Sequence, residues 1–185
     1  HLNQYPLPSL LAALGVKFID GGFEFWGRFQ AIIFNLLSVA LIGMLAALWW
    51  GKVAGFLAAL FFLISPFSVI YGQMFMSEAM SLCFFLLSIY LLERRRKDAP
   101  SFLDLLFSGL AFAIVLLGRI HYVLFLPALL YLVCRNNSKR FIVRASLFLI
   151  IVLAPTAAWY GFTYFVSMGS DMIRVHTSLF FQLGA

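Results

Sequence analysis

The chain has 185 residues, of which 64% are hydrophobic, 18% aromatic and only 11% charged, whereas an ordinary soluble domain carries about 25% charged residues. A water-soluble globule is excluded. Thirteen Lys and Arg stand against seven Asp and Glu, a net charge of +6, but the cations lie between long apolar runs rather than in a patch interleaved with exposed aromatics. They are placed to set orientation in a lipid bilayer, and nucleic acid is not expected as a partner.

The chain opens on His1 with no basic leader followed by a short apolar stretch and a cleavage site, so it reads as an interior piece of a longer protein. Leu7, Leu10, Leu11, Leu14 and Phe18 recur at helical spacing with Ser9, Ala12, Ala13 and Lys17 between them. This predicts an amphipathic helix begun by Pro6 or Pro8 and closed near Asp20-Gly21-Gly22, too short to span and lying on the membrane surface.

A spanning helix needs about 20 mainly apolar residues. Residues 29–50 qualify without a charge. After Gly51-Lys52, residues 53–71 make a second span with Pro66 near its end, and residues 74–92 a third that contains Glu78. As one straight helix, residues 102–134 would run about 50 Å through a hydrocarbon core of about 30 Å. We therefore divide them at Gly118-Arg119-Ile120-His121 into spans 102–118 and 120–134. Residues 145–165 form a sixth.

The expected architecture is all-α, a polytopic membrane bundle of about six transmembrane helices. Its parts are an extracytoplasmic amphipathic segment (1–28), the bundle (29–165) and the start of an extracytoplasmic segment (166–185). Short cytoplasmic loops retain Lys and Arg, which puts Lys52, the basic run 94–97, Arg135, Lys139, Arg140 and Arg144 inside, with Glu93, Asp98 and Asp104 as the anions of that side. Outside, Lys17, Arg28, Arg119 and Arg174 are balanced by Asp20, Glu24, Glu78 and Asp171. Cys83 and Cys134 then fall near opposite faces and cannot pair.

A charged group at membrane depth costs about 2.5 to 3.5 kcal/mol on insertion scales and so demands a partner, a cavity or an interface. Glu78, Arg28, and Arg119 with His121 meet that condition, all on the outer side. Glu78 is either an acid favoured by its helix N-terminus or a carboxylate that takes a proton from an acceptor or holds a metal ion. Arg119 and His121 are either a turn whose Arg snorkels to headgroups or a cationic clamp for a phosphate. Arg28 is a lipid anchor or part of that clamp, and Tyr71 is an interfacial aromatic close enough to Glu78 to touch substrate. The sequence has no Gly-rich phosphate loop, HExxH, GxSxG or CxxC pattern.

The order of features resembles a known group. Gln4-Tyr5-Pro6 and Leu10-Leu11, then Gly15, then Phe25-Trp26-Gly27-Arg28-Phe29 are similar to the start of the protein O-mannosyltransferase and lipid A aminoarabinose transferase group within the C-type (GT-C) membrane glycosyltransferases. Leu63-Ile64-Ser65-Pro66-Phe67, then Tyr71-Gly72-Gln73, then Met76-Ser77-Glu78-Ala79 resemble its serine-proline helix end and the acidic residue that opens the next helix. Gly109-Leu110-Ala111 through Leu117-Gly118-Arg119 resembles its Gly-Leu-Ala helix ending at a basic residue.

The resemblance implies a glycosyltransferase of the inner cell membrane. It would move a sugar from a polyprenyl-phosphate donor to an extracytoplasmic acceptor: a protein, a lipid or a cell-envelope glycan. Glu78 takes the catalytic acidic position, while Arg28, Arg119, His121, Gln4 and Tyr71 line the substrate. A principal aspartate would lie upstream of His1, leaving the isolated segment inactive. Gln4-Tyr5 stands where some relatives have Glu-Lys, so no cofactor is assigned and a divalent metal ion stays open. A transporter or flippase segment, or a non-catalytic assembly subunit in which Glu78 merely pairs with the hairpin cations, are the alternatives from other classes.

Overall fold

The computed structural model describes residues 7–19, 22–72, 74, 77–94, 101–135 and 141–183; the side chains of 19, 67, 71, 141 and 167–183 lie outside that description. Among the described residues every element is helical: α1 (Leu7–Ile19), α2 (Phe23–Trp50), α3 (Lys52–Ile64), α4 (Pro66–Tyr71), α5 (Glu78–Glu93), α6 (Phe102–Gly118), a 3-10 turn (Ile120–Phe125), α7 (Leu126–Cys134) and α8 (Phe141–Leu183). The all-α membrane bundle is as expected. By length and composition α2 and residues 142–166 of α8 each suffice to cross a membrane, and α3, α6 and residues 120–134 are shorter apolar helices.

Helices α2 and α3 run in opposite directions. Gly51, with φ at 92°, makes the tight reversal after α2, and α3 returns along it so closely that a Cβ on Gly55 would lie 2.6 Å from the Gly43 carbonyl and 2.7 Å from the Ala47 methyl. Small residues at such a crossing let helices pack without a hydrophobic driving force. Further along, Asn35 donates to the Ser68 hydroxyl at 2.9 Å. The α5–α6 hairpin is antiparallel too: Ser88 meets Ser108 at 2.9 Å midway, with Glu78 against Arg119 at one end and Arg94 against Asp104 at the other.

Helix α6 is apolar on all sides and mostly buried, as a central helix should be. Phe112, Val115 and Leu116 join Leu92, Leu129, Val133, Phe148 and Val152 in the core. The Tyr160 hydroxyl of α8 donates to the Leu116 carbonyl at 3.2 Å, filling an acceptor left open where α6 ends. By contrast, Val53, Phe56, Phe61 and Ile64 of α3 are 62–75% exposed, a continuous apolar face suited to lipid.

Three elements depart from the sequence expectation. The span drawn over residues 53–71 is broken: Pro66 bars Ser65 from helical geometry (ψ 140°), and the Ser65 hydroxyl caps α4 by accepting from the Ser68 N–H at 3.2 Å. The turn at Gly118-Arg119-Ile120-His121 is one extended residue, Arg119, followed by two turns of 3-10 helix. Helix α8 continues to Leu183 without stopping at residue 165. Both cysteines are free.

Candidate functional site

Glu78 is the first residue of α5 and Arg119 the residue that ends α6, so the antiparallel hairpin sets them side by side. Arg119 Nη2 donates to Glu78 Oε1, and Arg119 Nε donates to the Ser77 hydroxyl at 3.0 Å. Arg119 has left helical geometry (φ −148°, ψ 92°) while its N–H still donates to the Val115 carbonyl at 2.7 Å, which fixes the direction in which its side chain departs. The two side chains keep 28% and 26% of their surface, respectively.

The pair is not saturated. Glu78 Oε2 is buried without a hydrogen-bond partner among the described residues, and so is the Ser81 hydroxyl one turn below it. A methyl on Gly118 would lie 3.2 Å from that hydroxyl, which puts Ser81 beside the end of α6. A guanidinium has five N–H donors and two are committed here, so cation and carboxylate both retain capacity toward a ligand.

Arg28 is not part of this corner. It forms an i,i+4 pair with Glu24 at 2.5 Å, with both side chains mostly exposed. His121 is also exposed, its ring 5.2 Å from that of Tyr122. Gln4 and the side chain of Tyr71 lie outside the described residues. Sequence reasoning missed Ser77 and Ser81, although both flank the singled-out carboxylate. No group of three or more His, Cys, Asp or Glu that could hold a metal ion occurs among the described residues.

At the opposite end of the α5–α6 hairpin the charges that the sequence places on the cytoplasmic side are paired. Glu93 and Asp104 are buried, 1% and 0% exposed. Arg135 grips Glu93 through two hydrogen bonds of 2.7 and 3.2 Å. Asp104 accepts from Arg94, from the Ser101 hydroxyl at 2.7 Å and, in a capping box, from the Ser101 N–H at 3.2 Å.

Residues 3–159 match the sequence model of the dolichyl-phosphate-mannose-protein mannosyltransferase family. The chain belongs to that family. Membership makes it an integral membrane glycosyltransferase that works with a polyprenyl-phosphate-linked sugar donor, in agreement with the apolar helices described above. No curated protein and no solved structure gives a match. The match takes in Glu78, Ser77 and Arg119, so the paired corner belongs to the part of the chain shared with the mannosyltransferase family.

Proposed function

We propose that the Glu78–Arg119 corner faces the extracytoplasmic side and takes part in moving the sugar from a polyprenyl-phosphate donor to an acceptor hydroxyl or amine of a protein, a lipid or a cell-envelope glycan. The single observation behind the assignment is the half-satisfied pair: a carboxylate with one free oxygen beside an arginine with free donors, at one end of a membrane bundle. When the sugar–phosphate bond breaks, negative charge grows on the departing phosphate, and a preorganised guanidinium in a water-poor corner stabilises it. Arg119 performs that task. The acceptor oxygen or nitrogen bonds to the anomeric carbon as the phosphate leaves, and its proton passes to a carboxylate. Glu78 Oε2 orients the acceptor, alongside the upstream aspartate that the family resemblance implies. Arg28, His121, Gln4 and Tyr71 stand further out, as contacts to donor headgroup or acceptor.

In the full-length protein, Glu78→Gln is expected to lower transfer from a labelled polyprenyl-phosphate sugar by about 100-fold or more, with membrane expression unchanged. Unimpaired transfer rejects the role. The same assay distinguishes a flippase, which would move the labelled lipid without turnover.

The pairing itself also suits a non-catalytic assembly subunit, for which neither transfer nor movement would be seen. Orientation follows from the basic run 94–97 being retained on the cytoplasmic side. A cysteine at exposed Lys52, at the turn between α2 and α3, should react with a membrane-impermeant maleimide only after permeabilisation. Labelling in intact cells would reverse the proposed polarity.

A further inference from the structure

A serine or threonine in an apolar helix usually turns its hydroxyl back onto a carbonyl of the preceding turn. Ser38 does so, donating to the Phe34 carbonyl at 2.8 Å, and Thr156 donates to the Val152 carbonyl at 2.7 Å. The buried hydroxyls of Ser88 and Ser108 bond to each other, and that of Ser68 bonds to Asn35. Ser81 departs from this pattern. It is fully buried, at 0% exposure, and its hydroxyl has no partner among the described residues. The usual acceptor is in place, because the Ser77 carbonyl lies one turn back and accepts the Ser81 N–H at 2.8 Å. The hydroxyl does not use it.

It points across the hairpin instead. A Cβ on Gly118 would lie 3.2 Å from Ser81 Oγ, and among the described residues no other atom outside the glycine's own stretch of helix comes within 4 Å of that position. Gly118 is nevertheless buried. The result is a small interior gap with a polar wall, and such gaps hold water when two or more polar groups reach them. Glu78 supplies the second group. It stands three residues before Ser81 on the same face of α5, and it is paired through Oε1 with Arg119, the residue next to Gly118. Its Oε2 is buried and without a partner among the described residues, so that oxygen lies on the inward side of the pair.

We propose that Ser81 is a positioning residue for Glu78, acting through one water molecule held in the gap beside Gly118 and hydrogen-bonded to both Ser81 Oγ and Glu78 Oε2. This deepens the reading of Glu78 as the carboxylate that orients the acceptor, and rests on it. The water gives the carboxylate an anchor that does not depend on Arg119. When the guanidinium turns to the leaving phosphate, Glu78 keeps its direction toward the acceptor. Gly118 has to lack a side chain because a methyl group there would occupy the place of the water.

The test is transfer from a labelled polyprenyl-phosphate sugar by the purified full-length protein in lipid nanodiscs, with kcat and KM measured separately and thermal unfolding recorded for each variant. Ser81→Ala removes the hydroxyl, and Gly118→Ala fills the gap from the opposite helix while the Ser81 hydroxyl can rotate back to its own helix. Each should lower kcat about 10-fold, the usual effect of losing a hydrogen bond to a charged group, with KM for the donor within about twofold of the parent, as for an interaction that matters only in the transition state. The double variant should be no slower than either single one, since both remove the same water. Added to Glu78→Gln, Ser81→Ala should change nothing further.

Parent-like kcat in Ser81→Ala, with transfer still lost in Glu78→Gln, overturns the role of Ser81 and leaves that of Glu78 intact. Unimpaired transfer in Glu78→Gln overturns both. A raised KM at unchanged kcat would mean that Ser81 touches the donor directly, and a fall in unfolding temperature at unchanged kcat would assign it to packing; either result rejects the proposal. So does a double variant slowed about 100-fold, the product of two independent losses.

Discussion

The two ends of the α5–α6 hairpin hold arginine–carboxylate pairs of opposite character. At one end Glu93 closes α5, where the negative pole of the helix disfavours a carboxylate, and it is 1% exposed. Arg135 grips its carboxylate through two hydrogen bonds. Asp104 beside it, 0% exposed, is enclosed by Arg94 and the Ser101 cap. At the other end Glu78 opens α5 and Arg119 ends α6, so each charge already lies at the helix pole that favours it. Both keep about a quarter of their surface, 28% and 26%. The first pair is stable only while closed. The second can open, hand its arginine to a ligand and leave neither partner stranded, which is what a binding corner requires and a structural clasp does not.

The sharpest way to break this contrast is to make one substitution at both ends. Arg135→Met leaves Glu93 buried without its counter-ion and should destabilise the protein by about 3 to 5 kcal/mol, read as denaturant-induced unfolding in detergent. Replacing Glu93 by Met as well should recover most of the loss, since an apolar pair of similar volume has no charge to desolvate. A single variant that unfolds within about 1 kcal/mol of the parent would mean that water reaches Glu93 and that the two ends do not differ in kind.

Much of this contrast was legible in the sequence, and the failures are physical. Residues 102–118 were delimited as observed, because the run 102–134 is too long for one span and Gly118-Arg119 offers the break. Glu78 and Arg119 were singled out by the cost of a charge at membrane depth, and a hairpin between them brings its two ends together. Pro66 was noticed but absorbed into one span, since hydropathy does not register that a proline fixes the residue before it.

Glu93 and Asp104 were counted only as anions on the cytoplasmic side, and their burial was not anticipated. What buries Glu93 is Arg135, 42 residues further on, and no local pattern announces that partner. Ser77 and Ser81 were invisible for a related reason. Their meaning depends on which face of a helix meets which.

The smallest expected effect on stability is the most informative. Arg119→Met removes a cation with the same geometry of substitution as Arg135→Met, yet Glu78 then remains partly exposed at a helix N-terminus that stabilises it. The cost should stay below about 1 kcal/mol, the range of partly solvated pairs. Transfer from the polyprenyl-phosphate donor should nevertheless fall by about 100-fold, because an aimed charge at the leaving phosphate is lost. Were Arg119→Met to unfold the protein as severely as Arg135→Met, the Glu78 end would be a second clasp, and its free carboxylate oxygen would have to be explained by packing alone.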